Sequence, residues 1–139
     1  MEFFLTDTGV VFSELSPRPH DTGMVTLGHT TNLSEFELHF RAVMGLPIHD
    51  IRLEHAGCSA VVLADKDYHN ASEINYNFTD CLNEECTRVR IFGKPDAHFG
   101  RRMGVVLCYG EKDADLNNLR DKAKRLASTV LGTNPYMEK

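Results

Sequence analysis

Glu2 and Glu14 sit at the outer ends of two runs rich in Phe, Leu and Val that flank Asp7-Thr8-Gly9. Such runs around a glycine-bearing turn read as a β-hairpin over residues 2–15, with a three-residue turn and Gly9 in its left-handed position. With the register centred near Thr8, Phe4 faces Phe12 and Glu2 faces Glu14. Period two then puts Glu2, Phe4, Val10, Phe12 and Glu14 on one face. Two carboxylates opposed in this way have Cβ atoms roughly 5 Å apart and repel one another unless a cation offsets the charge. Magnesium, which takes one or two carboxylates together with substrate phosphates, suits such a pair. Spacing alone leaves open that one or both side chains point into water.

The elements around this pair can be read from pattern. Ser16-Pro17-Arg18-Pro19-His20-Asp21-Thr22-Gly23 predicts an extended, turn-rich and rigid segment, because each proline fixes its own backbone and keeps its predecessor out of the helical region. A helix follows, with Asn32 as its cap, Glu35 at the third helical position, and Leu33, Phe36, Phe40 and Val43 at helical spacing. Gly45 and Pro47 end it. Beyond Ile48 short apolar segments predict strands at Ile51–Leu53, Ser59–Ala64, Arg88–Phe92 and Met103–Tyr109. The polar stretch from Asp65 to Glu85 holds at most a short helix near Ser72–Tyr76. A last helix is capped by Asp113, carries the stripe Leu116, Leu119, Ala123, Leu126 and Val130, and stops at Gly132 and Pro135. The fold class is α+β: residues 1–50 with an antiparallel sheet and one helix, residues 51–139 a small β-rich lobe closed by a C-terminal helix. There is no internal repeat.

Composition narrows the function classes. A chain of 139 residues can bury roughly two thirds of its unfolded surface and needs no disulfide scaffold. Its net charge of −5, with scattered lysines and arginines, argues against nucleic acid as a partner. No stretch reaches the roughly 20 apolar residues of a membrane span, and no signal sequence opens the chain, so a cytoplasmic location is expected. Cys58, Cys81, Cys86 and Cys108 lack zinc-ligand spacing and are expected as free thiols. The Asn32, Asn70 and Asn77 sequons are taken as chance matches. His20 stands beside Asp21, but adjacent side chains seldom hydrogen-bond productively, so a structural histidine is expected. Arg18 could equally reach a phosphate or brace its proline-rich loop on a backbone carbonyl.

The run from Phe12 through the Ser16–Gly23 block to Thr26 closely resembles the stretch bearing the second magnesium glutamate in formate-dependent phosphoribosylglycinamide formyltransferases, members of the ATP-grasp superfamily. The resemblance continues through Leu33-Ser34-Glu35-Phe36, Gly45-Leu46-Pro47, Phe92-Gly93-Lys94-Pro95 and Arg101-Arg102-Met103-Gly104, and is weakest between Asp65 and Cys86. It implies a C-terminal ATP-grasp portion in residues 1–50 and a rudimentary barrel-like lobe after it. It also implies Glu2 and Glu14 as ligands of a Mg²⁺ that bridges ATP phosphates. Asp21, Lys94, Arg101 and Arg102 would contact phosphoribosylglycinamide, the cations taking its 5′-phosphate in charge-assisted hydrogen bonds. In an ideal strand Arg101 and Arg102 point to opposite faces, so joint binding requires a loop or bulge there.

The implied reaction has formate attack the γ-phosphate of ATP, giving formyl phosphate for the glycinamide amine to capture. No enzyme nucleophile is required, and none stands out. The chain opens inside a strand, as a piece of a longer protein would. By itself it is expected neither to hydrolyse ATP nor to formylate, and the intact enzyme is expected to be a homodimer. Two alternatives remain: another ATP-grasp carboxylate-amine ligase, such as the ATPase of phosphoribosylaminoimidazole carboxylation, and a non-catalytic dimerisation or interaction module. An unpaired sheet edge would also invite self-association.

Overall fold

In the computed structural model, which describes residues 1–131, the two N-terminal runs form strands β1 (Glu2–Thr6) and β2 (Gly9–Glu14). The turn is the two-residue Asp7-Thr8, with Gly9 opening β2 at φ +134°. It is one residue shorter than the spacing predicts, so Phe3 pairs with Phe12 and Phe4 with Val11, instead of Phe4 with Phe12. The Thr6 hydroxyl locks this turn by donating to Gly9 O at 2.9 Å and accepting from Thr8 N at 3.3 Å. A β-bulge then absorbs Ser13 and returns Glu14 to a position opposite Glu2. The facing of the two glutamates therefore arises from a bulge and not from an unbroken alternation.

The segment after β2 is extended as far as His20, but Asp21–Gly28 is a 3-10 helix where extended backbone through Gly23 was expected. Its sequence, Asp-Thr-Gly-Met-Val-Thr-Leu-Gly, has no helical period; the His20 imidazole caps it by accepting from Thr22 N at 3.3 Å. Helix α1 (Glu35–Met44) is capped by Ser34, whose hydroxyl accepts from Glu37 N at 3.2 Å. Ser34 and Glu37 have the Ser-x-x-Glu spacing that favours this start over Asn32. Asn32 instead ties the chain to residues 50–52: its Oδ1 accepts from Arg52 N at 2.7 Å and its Nδ2 donates to Asp50 O at 3.3 Å. Gly45, at φ +65°, closes α1 with Leu46 N donating to Arg41 O at 2.8 Å. Phe40 and Val43 are mostly exposed and Phe36 is partly so, so the described residues cover the apolar stripe of α1 only in part.

The second sheet has the order β3-β5-β4, all antiparallel, with β3 at Ala56–Leu63, β4 at Thr87–Ile91 and β5 at Arg102–Gly110. The expected strand at Ile51–Leu53 is reduced to a single bridge between Leu53 and Thr31. Met103 to Cys108 are buried without interruption. β5 is covered on both faces, by helix α3 (Leu116–Val130) on one side and the 3-10 helix on the other. Val62, Met103, Val106, Leu126 and Val130 make the centre of the core. A Cβ on Gly28 would lie 3.3 Å from Leu107 Cβ, which shows how closely the 3-10 helix approaches β5.

Asp115, not Asp113, caps α3, its Oδ1 accepting from Asn117 N at 2.8 Å. Leu116 at the outer end of the predicted stripe is exposed, whereas Ala123, Leu126 and Val130 are buried. The expected stop at Gly132 and Pro135 lies outside the described residues. The polar stretch holds a short 3-10 turn at Ala71–Glu73 and a helix the pattern does not reveal, α2 (Thr79–Asn83). Just beyond α2, Glu84 accepts from Arg125 Nη2 at 2.6 Å and lies 3.2 Å from Lys122 Nζ; these two cations hold its carboxyl below the usual range. No helix of the described residues is long and apolar enough to cross a membrane.

Candidate functional site

The bulged end of the hairpin, the start of the 3-10 helix and the Ser59, Val61 and Val105 side of the second sheet converge on one cavity of about 430 Å³. Glu2, Glu14, His20, Asp21, Phe92 and Arg102 are among its walls. Glu2, Glu14 and His20 each offer a ligand atom, and these atoms lie within 4.8 Å of one another. The Ser13 hydroxyl, set free of the ladder by the bulge, donates to Glu2 Oε1 at 3.1 Å. His20 is more than a cap: its Nε2 is 3.5 Å from Glu14 Oε1 and its Nδ1 is 3.1 Å from Asp21 Oδ1. The Asp21 contact is a proximity and not a hydrogen bond, because the same Nδ1 accepts from Thr22 N as the helix cap, in keeping with the structural role expected of His20.

Of the expected phosphate-binding cations, Arg102 lines the cavity, while Lys94 and Arg101 lie near it and are not among its walls. Arg102 opens β5 and its guanidinium is paired with the Asp21 carboxylate across the cavity. Arg101 lies outside the strand, where its guanidinium pairs with the Asp96 carboxylate and donates to Asp96 O at 3.0 Å. The register also slips here, between the Val62 and Leu63 pairs. Burial, together with the nearby Arg101 and Arg102 charges, pushes the Lys94 ammonium below its usual range. Lys94 Nζ stands 5.6 Å from the centre of the Phe92 ring. Three cations thus share one neighbourhood, where a bound anion would relieve their mutual repulsion.

Arg18 borders a second recess of about 260 Å³ with Glu2, Glu14, His20 and Glu35. Its guanidinium donates to Pro19 O at 3.0 Å, the bracing arrangement of the two that sequence leaves open. Glu35 and Asp96 are the polar residues that sequence reasoning overlooks. Glu35, read from sequence only at the third helical position, acts on His20 N at 3.2 Å fifteen residues back, and Asp96 acts on Arg101 five residues on, across a loop with no regular spacing.

Residues 57–130 match the family model described as PurT, C-terminal, and residues 1–36 match the ATP-grasp domain model. A formate-dependent phosphoribosylglycinamide formyltransferase of Bacteroides fragilis is 56% identical over 131 residues, covering 94% of this chain and 34% of that protein. Its counterpart in Chlorobaculum tepidum is 56% identical over 132 residues, covering 94% and 33%. The chain therefore spans about a third of the length of the curated relatives it matches. Among solved structures, N5-carboxyaminoimidazole ribonucleotide synthetase from Thermotoga maritima superposes with a TM-score of 0.77 at 26% identity, covering 93% of this chain and 35% of that one. The phosphoribosylaminoimidazole carboxylase ATPase subunit from Aquifex aeolicus gives 0.71 at 26% identity, covering 92% and 36%.

Proposed function

The chain belongs to the PurT C-terminal family, and from that premise we propose that it forms the metal- and substrate-phosphate-binding part of an enzyme that formylates phosphoribosylglycinamide with formate and ATP. Residues 1–50 would complete an ATP-grasp domain, with residues 51–139 as the small lobe that closes over the substrate. One observation carries the reading: a facing pair of carboxylates and Arg102, which is paired with Asp21, border the same cavity, with His20 between the two groups.

The donor set fits a magnesium ion, because Glu2 and Glu14 are hard oxygen ligands on opposed strands and one of them is already oriented by the Ser13 hydroxyl. Glu2 and Glu14 would hold the ion, which would neutralise charge on the ATP phosphates during transfer. The chain's own part is positioning. Arg102 and Arg101 present planar donors to a 5′-phosphate, Lys94 adds a compact charge, and each guanidinium is aimed by a carboxylate, Asp21 or Asp96. Asp21 also offers an acceptor to the substrate amine or ribose hydroxyls. Arg18, braced on Pro19 O, supports the loop between the two groups.

The fold likeness to carboxyaminoimidazole ribonucleotide synthetases supports a second reading, in which the carboxylate is bicarbonate and the amine an aminoimidazole. The 56% identity to formyltransferases, against 26% to those structures, favours formate. A substrate swap in the whole enzyme separates the two. Product formed from formate and phosphoribosylglycinamide supports the proposal, and product formed only from bicarbonate and the aminoimidazole overturns it.

A further inference from the structure

We propose that Glu35 is a positioning residue for this site, its carboxylate fixing the backbone at His20 and thereby the imidazole that stands between Glu14 and Asp21. The inference rests on the reading of Glu14 as a metal-holding group given above. Glu35 belongs to the first turn of α1, fifteen positions beyond His20 in the chain, yet its Oε2 accepts from His20 N at 3.2 Å. The surroundings are shaped to that carboxylate. A Cβ on Gly23 would lie 2.0 Å from Glu35 Oε2, so a larger residue at 23 would push the carboxylate aside.

A second tie joins the same two elements. The Thr26 hydroxyl accepts from Glu35 N at 3.0 Å and donates to Gly23 O at 2.7 Å, while Gly23 N donates to His20 O at 3.0 Å. The beginning of α1 and the beginning of the 3-10 helix are thus latched around one carboxylate. His20 leaves that latch with Nε2 facing Glu14 and Nδ1 facing Asp21. The other Glu35 oxygen, Oε1, is buried with no hydrogen-bond partner among the described residues, and Glu35 lines the recess shared with Glu2, Glu14 and Arg18. A buried carboxylate oxygen left unpaired costs folding free energy, and its place beside the two glutamates gives it a use there.

The test compares Glu35→Ala, Glu35→Gln, Glu14→Gln and the distant core variant Val130→Ala in the chain itself. Two quantities are measured: hydrogen exchange at the His20 amide, and affinity for Mn²⁺, read by electron paramagnetic resonance. Glu35→Ala is expected to speed exchange at His20 and weaken Mn²⁺ about tenfold, as removal of outer-shell partners commonly does. Glu35→Gln, which keeps an acceptor oxygen, is expected to restore both to near the original values. Val130→Ala lowers stability without moving Mn²⁺ affinity, which separates positioning from general weakening of the fold. Unchanged His20 exchange and Mn²⁺ affinity in Glu35→Ala overturn the inference, as does failure of Glu35→Gln to restore them. Unchanged Mn²⁺ affinity in Glu14→Gln, or no Mn²⁺ binding by the unmodified chain, overturns the metal reading instead. Exchange at His20 then still decides the role of Glu35.

Discussion

The Asp21–Arg102 pair can be tested by asking whether it serves the fold or a ligand. Asp21 is 31% exposed and Arg102 60%, so water and salt screen their attraction. Exposed pairs of this kind couple by about 0.2–1 kcal/mol. For a chain of this size 1 kcal/mol moves the melting temperature by about 4 °C. Arg102→Met is therefore expected to lower the melting temperature by no more than about 4 °C, and a double-mutant cycle with Asp21→Asn to give a coupling below about 1 kcal/mol. The ligand side scales differently. A charge-assisted hydrogen bond to phosphate contributes about 1.5–3 kcal/mol, or roughly 10- to 150-fold in affinity. Ribose 5-phosphate, titrated calorimetrically into the whole enzyme, should bind Arg102→Met at least about tenfold more weakly. A coupling above about 2 kcal/mol with unchanged ribose 5-phosphate affinity would make the pair a structural clasp and refute the assignment.

The remaining expectations concern the scaffold. Gly104→Ala places a Cβ 2.6 Å from Arg90 O, a backbone atom that cannot turn aside. It should lower the melting temperature by about 4–12 °C, the equivalent of roughly 1–3 kcal/mol of overpacking; a loss under about 2 °C would contradict the β4–β5 spacing. Leu126→Ala empties the side-chain volume of a fully buried residue and should cost about 2–5 kcal/mol in urea unfolding, whereas a loss below about 1 kcal/mol would mean that α3 docks differently. Burial and the Asp65 carboxylate push the Tyr68 phenol up to about 12. The folded chain thus keeps a proton that the unfolded chain loses near its ordinary value of about 10. This contribution is complete below pH 10 and is lost as pH rises towards 12, so alkaline unfolding curves should be flatter in Tyr68→Phe, and identical slopes would exclude the phenol.

What the sequence discloses follows the range over which each interaction acts. Alternating Phe, Leu and Val runs predict the hairpin and the strands of the second sheet, and the 3.6-residue stripes predict α1 and α3. These signals lie within ten or fifteen neighbouring residues. The register of the hairpin is less legible, because whether Gly9 lies inside the turn or opens β2 depends on the Thr6 hydroxyl closing the shorter loop. The 3-10 helix escapes because its stability comes from an imidazole cap and from packing on β5, not from its own pattern. Ser34 displaces Asn32 as the cap of α1 because Asn32 is engaged with residues 50–52, a contact no local window contains. Resemblance draws attention to the residues around the cavity, while the ties that orient them, Glu35 to His20 and Asp96 to Arg101, become visible only in three dimensions.

The bulge at Ser13 makes the hairpin sensitive to counting. Substitution at most positions between Gly9 and Glu14 leaves the register of the strand intact, but gain of a single residue there shifts every later residue by one place along β1. An insertion beside Ser13 would retain two well-paired strands while carrying Glu14 past its place opposite Glu2, whereas deletion of Ser13 would remove the bulge and set Glu14 opposite Glu2 in a regular ladder. Relatives that vary freely in sequence across β2 are therefore expected not to lengthen it, and an added residue there would be a more telling sign of lost metal binding than the replacement of any one apolar residue.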